Sequence, residues 1–271
     1  MRRDSNIPTG GQACPNVSED AGPLLQWPVA PTTVRLEPGQ LHIWAAALNE
    51  FVSQAPILGS LLSPAEQARA EKFKFLEHRN HYLVRHGLLR LILSRYLQQH
   101  PSAIHFQHGP KGKPELRRKE NSLPLFFNTS HSAEITVCAV TSACPIGVDV
   151  ERTRQIPDIE GIARRFFLPR ETQTLMALSP ESRLQAFYVC WVRKEAFLKA
   201  TGEGISAGLA RVEVTVAPHE KPMVVSIAGE QRVREQWQLH PFSPAPGYVG
   251  CVAYRNAPLV LSQWRQAEIA T

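Results

Sequence analysis

The chain has 271 residues, of which 43% are apolar and 20% are charged. This composition excludes collagen, coiled coil and disorder as descriptions of the whole chain, and the length favours two modest cores over one large core. No apolar run approaches the ~18 residues of a membrane span, and none follows the N-terminal arginines as in a secretory signal, so we expect a cytoplasmic protein without a membrane partner. The balance of 30 Lys and Arg against 24 Asp and Glu favours anionic partners, and leaves phosphates, acidic proteins and nucleic acid open.

The predicted elements divide the chain into three parts. Residues 1–31 hold five prolines and no periodic apolar pattern, which predicts a poorly ordered lead-in. The first half should then contain, in chain order, an extended segment at 32–36, an apolar stretch at 41–51, a helix from Ser63–Pro64, a helix at 80–98, a loop at 107–124 and two strands within 125–141. The second half should contain a strand at 145–151, helices at 159–167, 170–178 and 183–201, and strands at 212–217, 223–228, 233–240 and 248–254.

A weak internal similarity suggests where the two halves meet. The segment 62–67 that leads into the first long helix resembles the segment 167–172 that leads into the last one. Two similar halves would explain this, and so would a chance resemblance between amphipathic helices. We place the N-terminal half at 32–143 and the C-terminal half at 144–271.

Two acidic residues alternate along the strand at 145–151. A strand period of two puts Asp149 and Glu151 on one face, with their carboxylates about 6 to 7 Å apart. The strand could lie at a sheet edge with both groups in water. The pair could also bind a divalent cation, since Mg2+ prefers oxygen ligands.

The last long helix carries a Glu–Lys pair in an unexpected place. On a helical projection, Glu195 and Lys199 fall inside the apolar arc around Trp191, whereas Arg193 lies opposite that arc. A carboxylate on a packed face must be paired, hydrogen-bonded or bound to a metal; a solvated pair at the margin of the arc is the alternative. With Asp149 and Glu151, these residues supply the groups that phosphoryl transfer needs: oxygen ligands, a base and a cation.

Four segments in this order resemble the motifs of the 4'-phosphopantetheinyl transferases of the larger, surfactin-synthetase-activating type. The segments are Gly112–Pro114 (GKP), Phe127–Ser132 (FNTSHS), Gly147–Glu151 (GVDVE) and Trp191–Lys199 (WVRKEAFLK). The resemblance spans about residues 60 to 205. Val192 stands where the family usually has Ser or Thr, a difference that we expect to be harmless.

The resemblance implies a Mg2+-dependent enzyme that transfers 4'-phosphopantetheine from coenzyme A to a serine of an apo carrier protein and releases 3',5'-ADP. It implies that Asp149, Glu151 and Glu195 hold Mg2+ against the CoA pyrophosphate. Glu195 would also be the base for the carrier serine, and Lys199 would stabilise the leaving diphosphate. The implied fold is α+β, with two similar halves that each pack a small, mostly antiparallel sheet on a long helix. The active site would lie in the cleft between the halves, and the chain would act as a monomer.

The resemblance also implies residues that bind coenzyme A. Ser130 and His131 fit the family's contact with the CoA 3'-phosphate, and Lys113 fits its nucleotide contact. Without the resemblance, the first two would be a turn pair and the third a solvated loop cation. Cations of the first half are further candidates for the phosphates, Arg85 foremost: Arg69, Lys72, Arg85 and Arg90. His81 stands where one relative has an arginine, which puts that contact in doubt.

Two other classes of function remain to be weighed. A Mg2+-dependent nuclease could use the same carboxylates, but no dense cationic stripe with interleaved aromatics suggests nucleic-acid binding. A non-catalytic protein that binds by charge alone would leave Glu195 and Lys199 unexplained. A zinc site is not expected at either His–x–x–His pair, since neither has a third ligand beside it: His78 with His81, and His105 with His108. The five cysteines form no Cys–x–x–Cys pair and are expected to be packing residues.

Overall fold

In a computed structural model of the chain, the described residues are 27–117, 124–204, 208–231, 236–255 and 258–267. Most of the predicted lead-in therefore lies outside the described residues. The helices are α1 (Ala55–Ser60), α2 (Pro64–Ala70), α3 (Leu76–Leu97), α4 (Ile159–Phe166), α5 (Pro169–Ala177) and α6 (Pro180–Thr201). The strands are β1 (Gln40–Ala47), β2 (Phe106–His108), β3 (Pro114–Leu116), β4 (Phe126–Ser132), β5 (Ile135–Thr141), β6 (Ile146–Arg152), β7 (Val212–Val214), β8 (Val224–Ile227), β9 (Trp237–Phe242), β10 (Tyr248–Arg255) and β11 (Val260–Arg265). Within the described residues, 3-10 helices occupy Leu48–Gln54, Pro101–Ala103 and Leu209–Arg211.

The first sheet has four strands in the order β11-β1-β5-β4. Its β1–β5 and β4–β5 pairs are antiparallel, whereas β1 and β11 run parallel. The long helix α3 packs on one face of this sheet, where Ile92 and Leu93 join a core cluster with Trp44 and Val140.

The second sheet has three antiparallel strands in the order β6-β10-β9, and the long helix α6 packs across β6 and β10. The predicted alternation along β6 is confirmed: Ile146, Val148 and Val150 lie in a core cluster together with residues of the first sheet such as Ile43 and Val137. The two sheets therefore pack against each other through a shared core cluster. With a long helix on each sheet, the predicted α+β class is confirmed.

Each long helix is tied to the short helix before it by a glutamate in that helix's first turn. Ser63 and Glu66 form a capping box at the start of α2, and Glu66 pairs with Arg90 of α3 at 2.6 Å. In the second half, Glu171 of α5 accepts a hydrogen bond from the Leu168 N–H and pairs with Lys194 of α6, also at 2.6 Å. This matched pair of contacts gives the internal similarity of the sequence a structural counterpart.

The structure differs from the sequence predictions mainly where elements are exposed. Helix α3 begins at Leu76 rather than at residue 80, because its first turn is exposed and so lacks the apolar spacing of a packed helix. The loop predicted at 107–124 contains most of the short hairpin β2–β3. Strand β11 was not predicted, since its exposed edge position leaves no apolar alternation.

The final strand returns to the first half. It pairs with β1, although the sequence places residues 144–271 in the C-terminal half. Residues 27–30, which belong to the predicted lead-in, also contact it: the Ala30 N–H donates to the Arg265 carbonyl, and the Arg265 N–H donates to the Pro28 carbonyl. The division at residues 143 and 144 stays a prediction.

Helix α6 is buried on nearly every side from Ala186 to Ala200. Arg193, expected opposite the packed arc, is buried as well, and its guanidinium donates to the carbonyl and the hydroxyl of Thr215. The prediction for Arg193 was wrong because the segment after β7 covers the side of α6 that faces away from the sheet. None of the described helices is both long and apolar enough to cross a lipid bilayer.

Candidate active site

The site lies where edge strand β4 of the first sheet runs beside edge strand β6 of the second. Alternate side chains of β4 face β6 because of the strand period of two. The Val148 N–H donates to Asn128 Oδ1 at 2.8 Å, and the Ser130 hydroxyl donates to Asp149 Oδ1 at 2.8 Å. Side chains of β4 thus form the hydrogen bonds to β6 that backbone groups form between neighbouring strands inside a sheet.

The line of side-chain contacts between β4 and β6, which we call the seam, continues to the second carboxylate of β6. The Ser132 hydroxyl donates to Glu151 Oε2 at 2.6 Å and accepts from the Arg152 N–H at 3.1 Å. Asp149 is buried and Glu151 is half-buried, so β6 is not a strand with its polar face in open water.

Lys199 of α6 reaches this seam and pairs with Asp149. Its ammonium lies 2.6 Å from Asp149 Oδ1, 2.9 Å from Ser130 Oγ and 3.1 Å from the Val148 carbonyl. The sequence pattern suggested an ion pair with Glu195 one turn earlier on the helix; the partner within salt-bridge distance is instead Asp149. The ammonium balances part of the negative charge that the site concentrates.

Glu195 is only 1% exposed, and neither of its carboxylate oxygens has a hydrogen-bond partner among the described residues. Burial, followed by the charge of Asp149, raises the pKa of Glu195 above its usual range. The same two causes raise the pKa of Glu151. Because an isolated buried carboxylate is costly, Glu195 needs either a proton or a cation beside it.

The three carboxylates do not form a closed metal cage. In the described ranges, no group of three or more His, Cys, Asp or Glu side chains is arranged to hold a metal ion, so neither the predicted magnesium ligand set nor a zinc site is observed. The donor chemistry still suits Mg2+, which takes few protein carboxylates and completes its shell with water and substrate phosphate. The two oxygens of Glu195 and Asp149 Oδ2 are suitable donors, since they have no hydrogen-bond partner among the residues that the structure describes.

His131 lies on the other face of β4, near polar side chains of α3. Arg85, His81 and His86 of α3, together with Lys199, lie within electrostatic reach of its imidazole. The His86 ring stacks on Tyr82 with centroids 3.9 Å apart. The cations of this group, Arg85 and Lys199, attract an anionic ligand such as a phosphate, and the imidazoles can hydrogen-bond to it.

The other predicted phosphate ligands differ in their exposure. Arg69 and Lys72 are exposed at the end of α2 and just after it, with the Arg69 guanidinium 6.0 Å from the Tyr82 ring centroid. Arg90 is buried against Glu66 and also donates to the carbonyls of Pro101 and Ile104. It holds the fold together and is not available to a ligand.

Lys113 lies at the end of α6 rather than in open solvent. Its ammonium donates to the Ile146 carbonyl at 2.8 Å and lies 3.5 Å from the Ala200 carbonyl. Burial lowers the pKa of Lys113 to about 8. The interpretation of Lys113 as a solvated loop cation was therefore wrong.

Two features beside the site were missed by sequence reasoning. Lys194 and Glu171 form a fully buried ion pair next to Glu195 in the chain. Ser132, the last residue of the FNTSHS segment, bonds Glu151. The alternation of polar residues at 128, 130 and 132 was the available signal for the second feature, because it matches the alternation of the acids on β6.

Comparison with known proteins identifies the family of the chain. The model of the 4'-phosphopantetheinyl transferase superfamily matches residues 145–253, and the model described as 4'-phosphopantetheinyl transferase, N-terminal, matches residues 43–143. Over 227 residues the chain is 37% identical to the 4'-phosphopantetheinyl transferase HetI of Nostoc sp. (strain PCC 7120), which covers 84% of this chain and 92% of HetI. The chain belongs to the 4'-phosphopantetheinyl transferase family.

More distant transferases cover smaller parts of the chain. The 4'-phosphopantetheinyl transferase Sfp of Bacillus subtilis (strain 168) is 36% identical over 151 residues, which are 55% of this chain and 64% of Sfp. The L-aminoadipate-semialdehyde dehydrogenase-phosphopantetheinyl transferase of Homo sapiens is 30% identical over 165 residues, which are 58% of this chain and 53% of that protein. The chain is thus a phosphopantetheinyl transferase of the Sfp type, and the nuclease and the non-catalytic interpretations are set aside.

Proposed function

We propose that this transferase moves 4'-phosphopantetheine from coenzyme A to a serine of an apo carrier protein in a Mg2+-dependent reaction and releases 3',5'-ADP. The observation that carries the proposal is the buried carboxylate of Glu195, which has no hydrogen-bond partner in the described part of the chain and lies beside the Asp149–Lys199 pair. A carboxylate with a raised pKa, next to carboxylate oxygens and an ammonium, is suited to phosphoryl transfer.

In the proposed reaction, the hydroxyl oxygen of the carrier serine attacks the phosphorus that bears the pantetheine. A new P–O bond forms to serine, the P–O bond to the adenosine-side phosphate breaks, and 3',5'-ADP leaves. Glu195 takes the serine proton, for which its raised pKa is suitable, because a base works best with a pKa near the operating pH.

Asp149, Glu151 and Glu195 would hold the divalent ion, and Asp149 Oδ2 and both oxygens of Glu195 have no competing partner within the described ranges. When bound, Mg2+ would neutralise charge on the pyrophosphate oxygens. Lys199 would stabilise the charge that develops on the 5'-phosphate of the departing 3',5'-ADP, and its ion pair with Asp149 holds the ammonium in place for that task.

The remaining proposed contacts bind coenzyme A and the carrier. His131 and Ser130 would contact the 3'-phosphate, with Arg85, Arg69 and Lys72 as further phosphate ligands. The Ser130 hydroxyl already bonds Asp149 and Lys199, which makes His131 the stronger of the two candidates. Lys113 would contact the nucleotide. Since both halves of one chain supply the seam, we propose that the enzyme acts as a monomer.

The decisive experiment incubates the purified protein with Mg2+, coenzyme A and an apo carrier protein, and weighs the carrier by mass spectrometry. We expect the carrier to gain the phosphopantetheine mass, and a carrier with its acceptor serine changed to alanine to gain nothing. No gain with any of several acyl and peptidyl carriers would overturn the proposal. Omission of the metal separates the two parts of the proposal: full transfer in a chelator would refute Mg2+ dependence alone.

A further inference from the structure

The serines of β4 and the carboxylates of β6 are matched one to one. Ser130 bonds Asp149 and Ser132 bonds Glu151, and both pairs are nineteen residues apart in the chain. The two contacts advance together along both strands, so β4 and β6 run in the same direction and keep one register. This spacing puts one hydroxyl beside each acid of β6.

Each serine engages one oxygen of its carboxylate. Ser130 bonds Asp149 Oδ1, and Asp149 Oδ2 is left without a partner among the described residues. Ser132 bonds Glu151 Oε2, and that is the hydrogen bond that the structure gives to this carboxylate. A carboxylate held through one oxygen keeps its other oxygen in a defined direction for a ligand.

Ser132 is itself held on two sides. Its hydroxyl donates to Glu151 Oε2 at 2.6 Å and accepts from the Arg152 N–H at 3.1 Å. It ends β4 directly before the turn residue Ala133, whose positive φ of 47° starts the hairpin. The rotation of the hydroxyl is therefore determined by β6 as well as by its own strand.

The chain contains a comparable bond away from the seam. Ser226 of β8 donates to Glu213 Oε2 of β7 at 2.9 Å. The two bonds join the same atom types on neighbouring strands at similar distances. Ser226 thus offers a control for the structural value of such a bond, separate from any effect on the site.

We propose that Ser132 is a positioning residue that holds Glu151 Oε2, so that the other carboxylate oxygen is directed at the divalent ion. The inference rests on the proposed function, because it assigns Glu151 to that ion. Groups that orient metal ligands are often worth 10- to 100-fold in metal affinity, which sets the size of the expected effect.

The test measures Mn2+ binding in the presence of coenzyme A, by the electron paramagnetic resonance signal of free Mn2+, for the wild type and three variants. We expect Ser132→Ala to raise the Kd for Mn2+ about 10-fold or more. Ser132→Thr, which keeps the hydroxyl in a residue that suits a strand, should stay within about 2-fold of the wild type. Ser226→Ala should leave the Kd unchanged.

Two results would overturn the inference. One is an unchanged Kd in Ser132→Ala; the other is an equal loss of affinity in Ser132→Ala and Ser226→Ala, which would indicate general loosening of the fold. Failure of the proposed function has a different signature. A wild type that binds no Mn2+ with coenzyme A present removes the metal assignment, and this inference falls with it.

Discussion

The carboxylate of Glu195 is buried, and neither oxygen has a hydrogen-bond partner among the described residues. Such an arrangement weakens a protein in the absence of a ligand, because desolvation of the charge is not compensated. Proteins keep such groups where a ligand or a proton makes use of them. Glu195 thus lowers the stability of the ligand-free fold and provides a carboxylate that can bind a cation or a proton.

The first prediction concerns Glu195→Gln. The amide has nearly the same shape but neither binds a cation well nor accepts the serine proton, so we expect the transfer rate to fall at least about 100-fold. The melting temperature should stay the same or rise, since the charged form no longer has to be buried. The mass of the carrier over time measures the transfer rate, and a thermal melt measures the melting temperature.

The matched control for this change is Glu181→Gln, at an exposed position in the first turn of the same helix. It should transfer at the wild-type rate. Wild-type turnover in Glu195→Gln would remove Glu195 from both the base and the ligand roles.

The second prediction concerns Lys113→Ala. Its ammonium is partly desolvated, which makes a contact with an anionic ligand stronger than it would be in water. We expect the KM for coenzyme A to rise about 5- to 10-fold with little change in kcat. Lys111→Ala, an exposed lysine of the same hairpin turn, should leave the KM unaltered.

If steady-state kinetics give both lysine variants the same KM, the nucleotide contact is assigned to the wrong residue. A thermal melt of Lys113→Ala belongs to the experiment, because this side chain also bonds the Ile146 carbonyl.

At the scale of elements, the close approach of α6 to β6 depends on Gly147. A Cβ at this position would overlap the helix backbone at Ala196 and Ala200. The glycine of the GVDVE segment is therefore required for packing, and it sets the distance from the acids of β6 to Glu195.

The third prediction follows for Gly147→Ala. Overpacking should lower the free energy of unfolding by about 1 to 3 kcal/mol, measured by urea denaturation. It should also lower the transfer rate, because α6 would have to move and would carry Glu195 with it. Gly59→Ala is the control, because the atoms nearest to its Cβ would belong to the flexible Leu83 side chain, the first at 3.2 Å, and a helix favours alanine over glycine. Equal stability of the two variants would show that α6 can shift without cost.

Sequence patterns predicted the elements that carry strong local signals. The N-cap Ser63 followed by Pro64 marked the start of α2, and strand-like runs marked β4, β5 and β6. Edge elements were missed because partners elsewhere in the chain stabilise them: β11 needs β1, and β2 needs β3. The helical projection failed at Arg193 because it assumed one solvent face, whereas α6 is covered all round.

The sequence predicted which residues form the candidate site but not which of them bond to one another. The motifs supplied Asp149, Glu151, Glu195 and Lys199, yet the Lys199–Asp149 pair and the Ser132–Glu151 bond depend on how the two sheets meet. No local pattern encodes that meeting. Ligand roles for these side chains stay predictions until a metal or coenzyme A is bound.

The molecule as a whole buries histidines that resist protonation. His42 is 1% exposed, and burial lowers its pKa to about 4. It lies within hydrogen-bond distance of the Tyr96 hydroxyl, to which Trp44 also donates, in the core between α3 and the first sheet. Protonation would place a charge in this core.

The fourth prediction concerns acid stability. Because the folded pKa of His42 lies below the unfolded value of about 6.5, its contribution is complete above pH 6.5 and is lost as the pH falls toward 4. At pH 5 this one residue should lower the free energy of unfolding by about 2 kcal/mol relative to pH 7.5. Urea denaturation at the two pH values should show a smaller drop in His42→Gln than in the wild type.

An exposed histidine gives the comparison: His108→Gln should keep the wild-type drop. Were His42→Gln to lose as much stability on acidification as the wild type, the buried imidazole would not be the source of the acid sensitivity.

The parallel pairing of β11 with β1 joins segments more than two hundred positions apart. A ribosome must therefore translate through residue 265 before the first sheet can gain its fourth strand. Until then β1 has an open edge, the kind of edge that recruits other chains. An N-terminal half released early would therefore be prone to aggregate through this unpaired edge and would not form an independent domain. The slow step in folding should be the pairing of β11 with β1, because the two strands are far apart in the chain.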